Sequence, residues 1–230
     1  MIKRNRNSFL MSILKAVPLF VALLTVLSCP QGYAASSCNS IFDTYVQSEI
    51  STIAMDQKYR GEDRGQFRDP VTGKMWQVKY FTDSEKQVFE LQIKDGVFID
   101  YRGKKIDSEF DAEALSFEHG LFVIDKDQKI FLLPFEERGK YHHSSLSGGQ
   151  DIIFAGTAAF SNGQLREFSD SSGHYKPSQK QTLKTLELLK QRGVQFNSLK
   201  ISGRIAKELA NSYVISGKQL ELLLKSPKQN

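Results

Sequence analysis

The 230-residue chain contains few cysteines and histidines: two of the first, Cys29 and Cys38, and four of the second. No C-x-x-C pair occurs, which excludes the usual cysteine-based zinc and redox sites. No cluster of lysine and arginine with interleaved aromatic residues occurs either, so the sequence offers no stripe for binding nucleic acid. With 40% hydrophobic and 25% charged residues, the chain can bury one core, and its stability must come from packing.

The first 34 residues have the composition of a leader. A short apolar run, Ala16–Leu27, lies before the small residues of "GYAAS" and after four basic residues, Lys3, Arg4, Arg6 and Lys15. The run is shorter than the ~20 residues that a membrane span needs. This layout predicts a signal peptide over 1–34, and with it a bacterial protein exported to the periplasm or secreted. The alternative is a lipoprotein anchored at Cys29; otherwise we expect no membrane contact in the mature form.

The positive charge of the chain is concentrated in this predicted leader. The whole chain has 31 basic and 26 acidic residues, a net charge of +5, and residues 1–34 hold four basic residues and no acidic one. Residues 35–230 therefore have 27 basic and 26 acidic residues. A nearly neutral domain gives no reason to expect a nucleic-acid partner.

Hydrophobic periodicity predicts a single α+β domain over 35–230. Apolar residues at spacings of three and four predict an N-terminal helix at 39–58. A capping box at Ser178 and the leucines after it predict helices in the C-terminal part, up to about residue 226. Period-two alternation predicts a strand and three hairpins: 74–80, 87–101, 120–134 and 151–169. The expected fold is a mostly antiparallel sheet flanked by the N-terminal helix and the C-terminal helices.

Three of the four histidines lie in two polar strings, "YHHSSLSGGQ" (141–150) and "SSGHYKPS" (171–178). An imidazole can take the proton of a neighbouring serine hydroxyl, and glycine N–H groups can hold an anion. The sequence therefore predicts a shared pocket. Its predicted catalytic residues are His143, Ser145, His174 and Tyr175. Its predicted ligand-binding residues are Ser144, Gly148, Gly149, Ser172 and Gly173.

A structural interpretation of the same strings stays open. Serine, glycine and proline are turn residues, and a buried histidine bonded to a backbone carbonyl can lock a corner. A metal site is not predicted, because His142 and His143 would point to opposite sides of a strand. No cofactor is predicted.

Between about residues 85 and 200 the chain resembles the conserved C-terminal region of the plant IQ-motif calmodulin-binding proteins and related bacterial and fungal sequences. The shared strings, in one order, are "VFELQIKDG", "LFVIDKDQKIFLL", "GKYHHSSLSGG", "AGTAAFSNGQL", "SSGHYKPS" and "LLKQRGV". The IQ element is echoed only in "DQKYRGEDRGQFR", residues 56–68, where Arg60 comes one residue early and two glycines disfavour a helix. We therefore do not extend calmodulin binding to this chain.

Two functional hypotheses follow. The first is an exported protein whose His/Ser/Tyr pocket binds or transforms a small anionic or nucleotide-like ligand, with His143 as base, His174 as a second acid or anion contact and Tyr175 as an orienting hydroxyl. The alternative is a non-enzymatic protein-interaction module related to the calmodulin-binding family but without a true IQ motif. In that case the histidine strings are corners, and either the leucine-rich C-terminal helices or the N-terminal helix forms the docking face. Whether the protein is an enzyme stays open.

Overall fold

The structure, a computed structural model, describes residues 51–111 and 116–225, all of which belong to one compact unit within Cys38–Asn230. The predicted signal peptide at 1–34 and most of the predicted helix at 39–58 lie outside these residues. The described end of that predicted helix, 51–58, is not α-helical. Ile53 instead forms an isolated bridge with Ile152, where each backbone N–H donates to the other's carbonyl. Backbone pairing with a central strand replaces the expected helix there.

The described chain is built from ten strands, five α-helices and three short 3-10 turns. The strands are β1 Glu90–Lys94, β2 Val97–Ile99, β3 Phe110–Asp111, β4 Ser116–Phe117, β5 Gly120–Asp125, β6 Ile130–Leu133, β7 Ile152–Ser161, β8 Gln164–Ser169, β9 Lys200–Ser202 and β10 Val214–Ser216. The helices are α1 Asp83–Lys86, α2 His143–Ser147, α3 Gln179–Gln191, α4 Arg204–Ala210 and α5 Gly217–Lys225. The 3-10 turns are Gln57–Tyr59, Glu62–Arg64 and Gln87–Phe89.

Eight strands form one sheet in the order β10-β9-β8-β7-β5-β6-β1-β2, and β3 and β4 form a separate pair. Six of the seven strand pairs in this sheet are antiparallel, and the β8–β9 pair is parallel. This arrangement confirms the predicted α+β class with a mostly antiparallel sheet. The β5–β6 and β7–β8 hairpins lie where the alternating pattern predicts them, and the latter turns at Asn162-Gly163.

The sheet is extended at one edge by two strands that the sequence pattern does not predict. The parallel strand β9 is reached from β8 through α3, and β10 then pairs with β9. The helix α3 begins at its predicted cap, since the Ser178 side chain accepts the N–H of Gln181. None of the helices in 51–111 and 116–225 is long and apolar enough to cross a membrane.

The two faces of the sheet bury two separate apolar clusters. On β5, Phe122 and Ile124 belong to the larger cluster, which includes the leucines of α3. Leu121 and Val123 alternate with them and belong to the smaller cluster, beneath α2. The second face is therefore covered by α2 and by the chain from Ile53 to Phe81, and the candidate site lies there.

Candidate functional site

An open cleft of about 570 Å³ lies on the second face of the sheet, over β5 and β7. Three separate stretches of chain form its walls. Its lining includes Tyr59, Trp76, Glu136, Arg138, His142, His143, Ser172, Gly173 and His174. We call this the histidine cleft. The fold thus brings the two predicted polar strings together and adds a third wall from the segment 57–76.

The third wall is organised by Glu62, which is fully buried although it lies in a polar stretch of sequence. Its Oε1 accepts hydrogen bonds from the Ser144 hydroxyl and, at 3.2 Å, from the Tyr80 hydroxyl. Its Oε2 accepts the Nε2–H of His174 at 2.9 Å. Because a buried carboxylate is costly unless its lone pairs are bonded, these three donors hold Glu62 in place.

His142 lies at the start of α2, and both of its ring nitrogens are hydrogen-bonded. The backbone N–H of Gly139 donates to its Nε2 at 2.9 Å, so this nitrogen has no proton. Its Nδ1–H therefore donates to Oε1 of Glu136 at 3.1 Å. This hydrogen bond holds the pKa of Glu136 below its usual value, so the carboxylate is charged at neutral pH. The side chain of Glu136 is 57% exposed and faces solvent at the cleft.

His143 is the next residue, but its ring lies among different partners. Its Nε2–H donates to the carbonyl of Gly156 on β7 at 2.7 Å, and its Nδ1 lies 3.3 Å from Oγ of Ser172. Burial lowers the pKa of His143 to about 4, so the ring is neutral at pH 7. The free Nδ1 lone pair then accepts a hydrogen bond from the Ser172 hydroxyl.

Four aromatic rings are stacked along the cleft. Ring centroids lie 4.0 Å apart for Tyr59 and His174, and 4.7 Å apart for His174 and His142 and for His142 and Trp76. These contacts join the four rings into one continuous stack. The stack gives the cleft an aromatic wall next to the Glu136 carboxylate.

Arg138 is clamped to a buried carboxylate and does not give the cleft a free positive charge. Its Nε and Nη2 donate to Oδ2 and Oδ1 of Asp69 at 2.7 and 2.9 Å, and Trp76 Nε1–H also donates to Oδ2, at 3.3 Å. The hydrogen bonds from Arg138 hold the pKa of Asp69 well below its usual value. The unmatched charge that faces the cleft is therefore the negative charge of Glu136, with Glu62 behind it.

His174 presents one unbonded nitrogen to the cleft. Its Nε2 is bound to Glu62, and its Nδ1 makes no hydrogen bond within residues 51–111 and 116–225. No buried side-chain nitrogen or oxygen in that part of the chain lacks a partner, so this Nδ1 is reached by solvent. A ring that is only 4% exposed thus keeps an acceptor open to a ligand.

The other predicted site residues lie behind the cleft wall rather than in it. The stretch 139–145 is not a strand but leads into α2, so His143 and Ser145 do not share a strand face. The Ser145 hydroxyl accepts the N–H of His142, and Ser144 binds Glu62. The Gly148 and Gly149 N–H groups both donate to the Ser144 carbonyl, so they are not free to hold an anion.

Tyr175 is buried, and its hydroxyl lies against the Ser147 hydroxyl and donates to the Gln150 carbonyl at 3.0 Å. Burial also raises the pKa of Tyr175 above its usual value. Of the nine predicted residues, His143, Ser172, Gly173 and His174 line the cleft. Sequence reasoning missed Tyr59 and Glu62, which lie in a polar, glycine-bearing stretch with no signal of burial.

In the part of the chain that the structure describes, no group of three or more His, Cys, Asp or Glu side chains is arranged to hold a metal ion.

Comparison with known proteins identifies a related domain within the chain. Residues 85–182 match the family model of the IQ motif-containing protein middle domain. The IQ domain-containing protein IQM2 of Arabidopsis thaliana is 27% identical over 125 residues, which are 54% of this chain and 20% of the relative. IQM3 of the same plant is 26% identical over 137 residues, 59% of this chain and 29% of the relative. The aligned region spans less than a third of these relatives, and no solved structure matches the chain.

These comparisons contradict the prediction of a bacterial protein exported to the periplasm or secreted. The relatives that match are IQ domain-containing proteins of a plant, and nothing in them points to export. The predicted leader rests only on the composition of residues 1–34. The similarity to the plant proteins lies in a different part of the chain, residues 85–182. From residue 85 to residue 182 the chain resembles the middle domain of the IQ motif-containing proteins.

Proposed function

We propose that the chain is a protein-interaction module related to the IQ motif-containing proteins, and that its histidine cleft receives a basic side chain of the partner. The family match supports the interaction role, which was the alternative hypothesis from sequence. The observation that carries the choice of ligand is the combination of an aromatic wall with a solvent-facing carboxylate. The small anionic ligand of the first hypothesis is not supported, because the cleft's unmatched charge is negative.

The chemistry of the wall suits a lysine or arginine. A cation that lies over the Tyr59 ring gains a cation–π attraction of about 0.5–2 kcal/mol, depending on how far it is desolvated. The Lys58 Nζ, 4.8 Å from the centroid of this ring, shows that a cation can lie there. Glu136 adds a charge-assisted hydrogen bond, and the unbonded Nδ1 of His174 accepts a further N–H. The Arg138 guanidinium does not oppose entry strongly, since its charge is matched by the Asp69 carboxylate.

The proposal does not depend on an IQ helix. An IQ-type target presents one face of an amphipathic helix to its partner. Here the segment 56–68 contains two 3-10 turns, and its Glu62 is buried beneath the cleft. Presenting this segment as a free helix would remove Glu62 from His174 and Tyr59 from the ring stack. The intact domain therefore uses residues 56–68 as a wall of the cleft.

The single tryptophan of the chain, Trp76, makes the proposal directly testable by fluorescence. We expect hexa-arginine, added to the full chain, to change the Trp76 emission with a saturable curve that weakens at high salt, whereas hexaglutamate has no effect. Glu136→Gln should weaken binding by roughly fivefold or more, in line with the loss of one charge-assisted hydrogen bond. The matched control is Glu137→Gln, which removes a neighbouring carboxylate that does not line the cleft.

Equal responses to the two peptides, or wild-type affinity in Glu136→Gln, would contradict the proposal.

Calmodulin, with and without calcium, is the second probe. Arg64 belongs to the IQ-like segment and its side chain is 67% exposed, so Arg64→Ala leaves the cleft intact. We expect any complex with calmodulin to be unchanged by this substitution, and a complex that depends on Arg64 would show that the segment works as an IQ element after all.

A further inference from the structure

The histidine cleft also contains the pair of His143 and Ser172, which the binding of a basic side chain does not use. We infer that Ser172 is a nucleophile that His143 activates toward ester or thioester acyl groups. This inference goes beyond the proposed interaction function and does not rest on it, because it uses a different pair of side chains.

The orientation of the His143 ring supports this role. Its Nε2–H donates to the Gly156 carbonyl at 2.7 Å, which fixes the tautomer and leaves the Nδ1 lone pair directed at Oγ of Ser172, 3.3 Å away. A hydroxyl, an imidazole and an acceptor that orients the imidazole follow one another as in serine-based acyl transfer, with a backbone carbonyl in the position where a carboxylate is commonly found. The ring is 5% exposed, so bulk water does not compete for Nδ1.

The surroundings of Ser172 leave its oxygen able to react. The residue is partly exposed, and Oγ accepts one hydrogen bond, from the Tyr175 N–H at 3.3 Å. Because the hydroxyl proton is donated to His143, one lone pair of Oγ stays unbonded. The backbone N–H of Gly173, the next residue, donates no hydrogen bond within the described ranges 51–111 and 116–225. An unbonded N–H directly after the nucleophile is the type of group that holds an oxyanion.

The step balances without any cofactor. Oγ of Ser172 forms a bond to the acyl carbon while its proton moves to Nδ1 of His143. The carbonyl oxygen becomes an oxyanion, and it re-forms the carbonyl as the alcohol or thiol departs with the proton from His143. Water then attacks the acyl-serine by the same proton route, which releases a carboxylic acid and restores Ser172.

The inference is tested on the full chain with a fluorophosphonate probe, which phosphonylates activated serines and releases fluoride. Peptide mapping by mass spectrometry should find one adduct, on Ser172. Ser172→Ala should abolish it, and Ser198→Ala, which removes an exposed serine outside the cleft, should leave it unchanged. His143→Gln should slow labelling by roughly 100-fold, the usual size of a general-base contribution. Circular dichroism shows whether each variant is folded.

If His143→Gln does not fold, the pH dependence of the labelling rate in the wild-type chain tests the role of His143 instead. Labelling of the wild-type chain should be constant from pH 6 to 8 and fall as the pH approaches 4, where the ring takes a proton. The inference is overturned by a folded chain with no adduct on Ser172, or by a rate that rises tenfold per pH unit up to pH 9, as for an unassisted hydroxyl. Neither result changes the hexa-arginine titration, so the two proposals fail separately.

Discussion

Glu62 and His174 are 112 positions apart in sequence, yet Oε2 of the first accepts the Nε2–H of the second at 2.9 Å, and both side chains are buried. The same carboxylate binds Ser144, so one residue links the two polar strings to the segment that precedes the family-matched region. Removing its charge should therefore loosen all three walls of the cleft together.

Glu62→Gln is expected to lower the free energy of unfolding by about 1–3 kcal/mol, because an amide cannot accept from all three buried donors. Urea denaturation, followed by far-ultraviolet circular dichroism, measures the change. Glu137→Gln is the matched control: its side chain is 57% exposed and pairs with Lys140 at the surface, so its effect should stay below about 0.5 kcal/mol. Equal effects of the two substitutions would show that Glu62 does not hold the walls.

Stability should depend on pH through His143. Burial lowers its folded-state pKa to about 4, whereas in the unfolded chain it has its ordinary value of about 6.5. Between these values the unfolded state binds more protons, so stability is complete above pH 6.5 and falls as the pH drops toward 4. The largest loss is about 3 kcal/mol, from 1.36 kcal/mol per unit of pKa.

Urea midpoints measured from pH 7.5 to pH 4 check this dependence. The comparison is Ser172→Ala, which leaves the buried ring in place and should keep the same slope. A His143→Gln variant that remains folded should have a flatter profile. A midpoint that is constant over this range in the wild-type chain would contradict the neutral, buried state of His143.

Tyr175→Phe separates a structural tyrosine from one that orients a ligand. The Tyr175 hydroxyl bonds to Ser147 and Gln150 and does not line the cleft. The substitution should cost about 1–2 kcal/mol, since it leaves the buried Ser147 hydroxyl with a poorer partner. It should leave the affinity for hexa-arginine unchanged in the Trp76 titration. A loss of affinity without a loss of stability would show that the Tyr175 hydroxyl contributes to ligand binding.

Gly156→Ala tests the close packing that places the carbonyl bonded to His143. A Cβ at this position would lie 2.0 Å from the backbone carbonyl oxygen of Ser169, and strand β8 cannot move away without breaking its pairing with β7. We expect a loss of at least about 2 kcal/mol in the free energy of unfolding. In Gly173→Ala the new Cβ would approach nothing nearer than 3.6 Å, so that control should be nearly neutral in stability.

The sequence predicts the central hairpins because their residues alternate with period two and one of them contains the Asn162-Gly163 turn. It does not predict β9 and β10, because these three-residue strands are joined by a helix and not by a hairpin turn that would mark them. The predicted N-terminal helix, 39–58, includes residues 51–56, which are not helical in the structure. Ile53 fits a helical stripe as well as it fits the bridge to Ile152, and only the position of β7 decides between them.

The cleft could be predicted in part. His143, Ser172, Gly173 and His174 stand out because histidine is rare in this chain and lies beside hydroxyls and glycines. Glu62 could not be found, since a glutamate between polar residues and glycines is ordinarily at the surface. Its burial depends on donors from Tyr80, Ser144 and His174, which only the folded chain brings together. The alternating pattern around Trp76 predicts that its side chain packs in a sheet. In the structure its ring stacks on the His142 ring.

The region recognised by similarity begins at residue 85, but Tyr59, Glu62, Asp69 and Trp76 all precede it. A fragment cut at the limits of that region would retain the imidazoles and lose the carboxylate and the rings that hold them. Expression boundaries for this protein should therefore be set upstream of Ile53, and the same upstream stretch in its plant relatives is the place to look for residues that complete an equivalent cleft.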